Sequence, residues 1–182
     1  MAIKFPFHEG KAIESLALIA QLRPGLTPLF VSKILFYADK WHLNRYGRPI
    51  IGDTYIAMPQ GPVPSVVKDY IDKKWDWVHK PEGYDEAISV QRQAGLLRLM
   101  PGQRGPKLDL LSASDIECLT EAVEYCRNKE PDDLSHLTHQ EKAYVLAQAN
   151  GPMDYEHFID DDNPQRTSVV AHAKKVAAYG VL

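Results

Sequence analysis

In the first third of the chain, one uninterrupted helical pattern gives way at once to an extended one. Thr27-Pro28 reads as a helix start: a threonine hydroxyl can cap free amides, and proline loses nothing at the first helical position. Gly47 is the matching stop, because glycine enters the left-handed conformation that ends a helix at no steric cost. Between them Val31, Ile34, Leu35, Ala38 and Trp41 recur at helical spacing as one apolar stripe, with Lys33, Asp39, Lys40 and Asn44 largely off it. This predicts an amphipathic helix docked on a core. Two short β-prone runs follow, Pro49 to Ile51 and Thr54 to Met58, around Gly52-Asp53, a dipeptide suited to a tight hairpin. Gly61-Pro62-Val63-Pro64 then reads as a stiff turn before another helix from about Ser65 to Lys74.

The remainder reads as helices around a second small β element. Ile13, Leu16, Ala17 and Ala20 predict a helix from Lys11 to Leu22, ending before Pro24-Gly25. Past Trp75 and Trp77, a polar loop leads to Ala87–Gln91 and Leu96–Met100, which can pair as strands around Gln93-Ala94-Gly95. Pro101 to Pro106, with glycines between the prolines, is the strongest loop signal, an arm or a subdomain joint. Ser112 and Asp115 form a capping box for a helix carrying Ile116, Leu119, Val123 and Cys126. Thr138 and Glu141 read as the same device before Ala143 to Ala149, with Asn150-Gly151 as the stop. A last helix starts at Asn163-Pro164 and carries Val169, Val170, Ala173, Val176 and Ala177, with Asp160 to Asp162 placed to complement its dipole. The fold class is α+β: a mainly α-helical single domain over residues 1–182 with a small antiparallel hairpin or sheet.

With 182 residues, 45% hydrophobic and 25% charged, the chain has ordinary globular composition and length enough for one core. A formal charge of -3 and scattered basic residues give no general attraction to phosphate, so nucleic-acid binding is not expected beyond possible operator contact together with a partner. The amino-terminal residues lack the apolar run of a secretion signal, and no apolar segment is long enough to span a bilayer. A cytoplasmic location is the expectation. Cys118 and Cys126 share one predicted helix, roughly 12 Å apart at its usual rise, too far for a disulfide.

The case for chemistry is thin. Asp39 with His42, and His136 with His139, lie three apart and could each share a metal, but a zinc site needs three or four ligands. The structural alternative makes Asp39 a partner for Arg48 or Lys40 and His42 a hydrogen-bonded residue at the core edge. Neither cysteine has a histidine context, no serine lies in a nucleophile elbow, and no glycine-rich loop cradles a phosphate. No cofactor and no catalytic residue is expected. A metal-dependent hydrolase or nucleotide-modifying enzyme using Asp39, His42 and the His136/His139 pair stays open as the alternative.

The segment over residues 27–75 resembles the Panacea domain, the family of SocA-like antitoxins. The residues that carry the likeness are Lys33, Ile34, Leu35, Phe36, Tyr37, Ala38, Asp39 and His42, then Gly47, Pro49, Gly52, Tyr55, Ala57, Met58, Gly61, Pro62 and Pro64. Residues 76–182 follow the family more loosely, through Leu111-Ser112, Ser114-Asp115 and the run from Leu134 to His139. The resemblance implies an antitoxin that neutralises a cognate toxin by direct contact, the toxin being encoded adjacently in a bacterial or prophage genome. An adaptor that delivers the toxin to a protease is a variant of that reading. Tyr37, Trp41, Tyr46, Arg48 and Tyr55 surround the helix-to-hairpin junction and are of the types that anchor protein interfaces, so they are the candidate toxin-facing residues.

Overall fold

A computed structural model describes residues 2–179; the last three positions of the variable part, 180–182, lie outside them. Helices α1 (Glu9–Leu22) and α2 (Pro28–Tyr46) are followed by strands β1 (Tyr55–Met58) and β2 (Gly61–Pro64) and helix α3 (Ser65–Ile71). Next come α4 (Tyr84–Ala87), β3 (Ile88–Gln93), β4 (Leu96–Pro101) and α5 (Ala113–Cys126). The chain continues with α6 (Pro131–His139), α7 (Lys142–Val145), a 3-10 turn (Tyr155–Phe158) and α8 (Arg166–Tyr179). The class is mainly α-helical α+β, with two separate two-stranded antiparallel sheets. Among the described residues no helix is long and apolar enough to cross a membrane.

Helix α2 is the spine. It packs on α5, α6, α8, α3 and the first hairpin, and every residue from Val31 to Asp39 is buried. The one-sided amphipathic reading is therefore corrected. Lys33 and Asp39, off the apolar stripe, are each only 1% exposed, whereas Trp41 on it is half-buried. A helix with polar residues on one side can still be central when each polar group finds a partner inside. Its ends follow the sequence: Pro28 opens it and Gly47, at φ 74°, closes it, although the Thr27 hydroxyl makes no capping bond.

The first hairpin is not where Gly52-Asp53 pointed. Strand β1 pairs with β2 from Tyr55 opposite Pro64 to Met58 opposite Gly61, turning at Pro59-Gln60. Gly61-Pro62-Val63-Pro64 is thus a strand rather than a turn. Proline is tolerated there because β2 needs few amides, and the free carbonyl of Pro62 is used by a side chain. The outer edge of β1 is closed by the chain near residue 150: the Asn150 amide donates to Ala57 O at 2.9 Å and the Met153 amide to Tyr55 O at 2.8 Å. Asn150-Gly151 therefore completes this edge instead of ending a helix, and α7 is a single turn that starts after Glu141 without a side-chain cap. Thr138 does not start that turn; it is buried inside α6 and donates to Leu134 O at 2.9 Å.

The second hairpin turns at Ala94-Gly95 as the sequence indicates, with Ile88 opposite Pro101 and Gln93 opposite Leu96. The proline-glycine loop after it is tied down. Arg104 forks onto Glu14 of α1 at 2.7 and 2.9 Å, and the Lys107 amide donates to the same carboxylate at 2.7 Å. The capping box of α5 forms as predicted, Ser112 and Asp115 exchanging bonds with each other's backbone amides. Cys118 and Cys126 are free and buried in that helix.

Candidate functional site

Three polar constellations hang on α2, and they differ in how fully they are satisfied. The first is at Asp39. One carboxylate oxygen accepts the amides of Ile50 and Ile51 at 2.7 and 3.2 Å, and the other accepts the Tyr55 hydroxyl at 3.0 Å. This binds the segment after Gly47 to the helix and replaces the expected pairing of Asp39 with Arg48 or Lys40. Burial pushes the carboxyl up to about 6, against the pull of its three donors. Asp53 repeats the arrangement. It is fully buried, accepts the Val66 and Val67 amides at 3.1 and 2.9 Å at the start of α3, and is likewise raised by burial to about 6. These two carboxylates, rather than a Gly52-Asp53 turn, shape the connection between α2 and α3.

The second constellation centres on Asp115, fully buried at the start of α5. It accepts Lys11 Nζ at 2.9 Å from α1 and an Arg48 guanidinium nitrogen at 3.1 Å, besides its own capping amide from Ser112 at 2.9 Å. His42 Nε2 lies 3.1 Å away. Although burial opposes it, the hydrogen bonds from His42 and Lys11 hold this carboxyl well below the usual carboxylate range. His42 sends Nδ1–H to Arg48 O at 2.8 Å, and its Nε2 also faces Ser114 Oγ at 2.9 Å. In a hydrolytic triad the nucleophile and the carboxylate occupy opposite ring nitrogens. Here serine and aspartate share one nitrogen, so His42 cannot relay a proton between them in that manner. The cluster welds α1, α2 and α5 together.

The third is Lys33, near the other end of α2. Its Nζ has one hydrogen-bond acceptor among the described residues, Pro62 O at 3.2 Å, for three donors. Burial pushes the amine down to about 7. Gly61 makes room for it, since a Cβ there would stand 2.7 Å from Lys33 Nζ and 2.4 Å from Thr138 Oγ1. Lys33 lines a groove of about 480 Å³ between the start of α2, the tip of the first hairpin and α3. Pro28, Leu29, Met58 and Val63 give it apolar walls, and Lys68 stands beside them. Lys68 is paired with Asp72, the residue that follows α3.

The five sequence candidates for partner contact do not form one surface. Tyr55 is 1% exposed and points inward to Asp39, and Tyr37 is 4% exposed, its ring edge-on to Tyr125 of α5 at 4.9 Å. Trp41 is half-buried beside Tyr37, 5.5 Å between ring centres. Tyr46 is exposed over His42, and Arg48 is partly drawn in by Asp115. The structure thus joins Tyr37 with Trp41, sets Tyr46 against His42 and Arg48 against Asp115, and sends Tyr55 elsewhere. His136 contacts Gln140, and His139 stacks on Tyr144. Among the described residues, no three His, Cys, Asp or Glu side chains converge as a metal site requires.

Sequence reasoning missed Asp53 and the groove of Lys33. Asp53 sits where a turn residue was expected, and a lysine off an apolar stripe reads as solvated. Asp115 was legible as a cap but not as the common acceptor of Lys11 and Arg48, which requires three helices to meet.

Comparison with known proteins finds no matching curated relative and no matching solved structure. A family model does match, described as antitoxin SocA-like, Panacea domain, over residues 31–144. That span runs from the first buried turn of α2 through both hairpins and α5 into α7, and so takes in Lys33, Asp39, His42, Arg48 and Asp115 but not Lys11. The chain belongs to the family of SocA-like antitoxins that carry the Panacea domain.

Proposed function

We propose that this protein is a stoichiometric antitoxin that acts in the cytoplasm and neutralises a cognate toxin, encoded beside it, by direct protein–protein contact. The family match over most of the chain carries this reading. The geometry is compatible with it. His42 and Asp39 are consumed by internal bonds, which leaves recognition rather than turnover as their neighbourhood's use. Of the five candidates, Trp41, Tyr46 and Arg48 are those that reach the surface and can touch a partner directly. Tyr37 and Tyr55 support them from inside.

Co-expression with the product of the adjacent reading frame tests this. Growth rescue together with a co-purifying complex is the expected outcome. Rescue with loss of the toxin, restored by deleting host proteases, would instead assign the adaptor role. Absence of both rescue and complex would refute the antitoxin reading. Tyr46→Ala, with native circular dichroism, should weaken the complex, and unchanged affinity would remove Tyr46 from the contact.

A further inference from the structure

The groove beside Lys33 has an electrostatic character that its apolar walls conceal. Its two ionisable lining residues are both lysines, and no carboxylate lines it among the described residues. Lys68 already has Asp72, whereas Lys33 has a single carbonyl. A buried ammonium with one neutral acceptor is an incomplete site: its remaining donors gain most from an anion that arrives with its own apolar cover. The groove is open at the hairpin tip, where Pro59 and Gln60 are exposed. That tip is held in place by the Tyr144 hydroxyl, which donates to Met58 O at 2.9 Å, and the Ser135 hydroxyl, which donates to Gln60 O at 3.2 Å.

We infer that this groove docks an acidic, apolar segment of the toxin, its aliphatic or aromatic side chains lying against Leu29, Met58 and Val63 and its carboxylate pairing with Lys33. The inference rests on the antitoxin reading and deepens it by assigning the contact. Charge complementarity selects the occupant, because a basic or purely apolar segment would leave Lys33 as it is now. The titratable groups facing Lys33 are few. Cys126 of α5 approaches it, a thiol that burial pushes up to about 12 and so keeps neutral, and Lys68 shares the groove. Docking of a carboxylate therefore draws a proton onto Lys33, and the complex weakens as pH rises above about 7.

The experiment uses the full chain and the adjacent reading-frame product, with affinity measured across pH 6 to 9. Gln60→Glu places a negative charge at the exposed mouth without touching the core and should weaken binding about five-fold, while Gln60→Lys should strengthen it. Lys33→Met, checked for native circular dichroism, should weaken binding at least ten-fold near neutrality and abolish its pH dependence. A carbodiimide cross-link from Lys33 to an acidic residue of the toxin would place the pair directly. If the wild type rescues and binds but the Gln60 and Lys33 variants bind equally well, the groove assignment is overturned and the antitoxin reading stands. If the wild type neither binds nor rescues, both are overturned.

Discussion

The two halves of α2 handle buried charge in opposite ways. In its carboxy-terminal half, Asp39 accepts three donors, and Asp115 is met by Lys11, Arg48 and His42. In its amino-terminal half, Lys33 holds one carbonyl and borders open space. Both ends are buried to a similar degree, so burial alone does not separate architecture from recognition. The number of satisfied donors and acceptors does: a saturated polar group fixes the fold, and an unsaturated one beside a groove has capacity to spare for a ligand.

Substitutions should test this contrast in a definite order. Asp115→Ala leaves two cations without their carboxylate and should cost about 3 to 5 kcal/mol, read from urea unfolding. Asp39→Ala strands two amides and a hydroxyl, for a loss of about 3 kcal/mol, and should loosen residues 50–55 in amide exchange. Lys33→Met should leave stability unchanged or raise it by about 1 kcal/mol at neutral pH, because the amine gains little inside. A large loss there would mean that Lys33 is structural after all.

The pH dependence sharpens the contrast. Asp39 and Asp53 hold protons more tightly when folded, about 6 against 3.8. Their contribution to stability therefore falls as pH rises through that window, by up to about 1.4 kcal/mol per unit for each. Asp115 acts in the reverse sense: its contribution is complete above 3.8 and is lost as the pH falls through its depressed value. Lys33, at about 7 folded against 10.5, adds stability as pH rises between those values. Unfolding free energies across pH should show these windows, with Asp39→Asn flattening the acidic one and Lys33→Met the basic one.

Helix ends and one hairpin were legible in the sequence because they are decided locally. Pro28 and Gly47 bound α2, Ala94-Gly95 turns the second hairpin, and Ser112 with Asp115 caps α5. What the sequence hides depends on distant partners. Gly52-Asp53 looks like a turn, but Asp39 and Asp53 bind the amides around it and leave the hairpin to Pro59-Gln60. Thr138 looks like a cap but lies within a helix that Glu130 and Pro131 begin. The candidate site was half legible: its aromatic residues were visible, whereas the Lys33 groove exists only because β2 crosses α2.

The edge of β1 has a consequence for what can serve as a minimal fragment. Its outer backbone groups are filled from residues 150–153, and Ile3 is held by Asp154 from the opposite end of the chain at 3.0 Å. The family-matched stretch, 31–144, contains neither those residues nor Lys11. Expressed by itself, it would present a bare strand edge ready to pair with another copy, and it would bury Asp115 without its ammonium. The stretch that carries the family likeness is thus smaller than the set of residues that closes this strand edge and pairs Asp115.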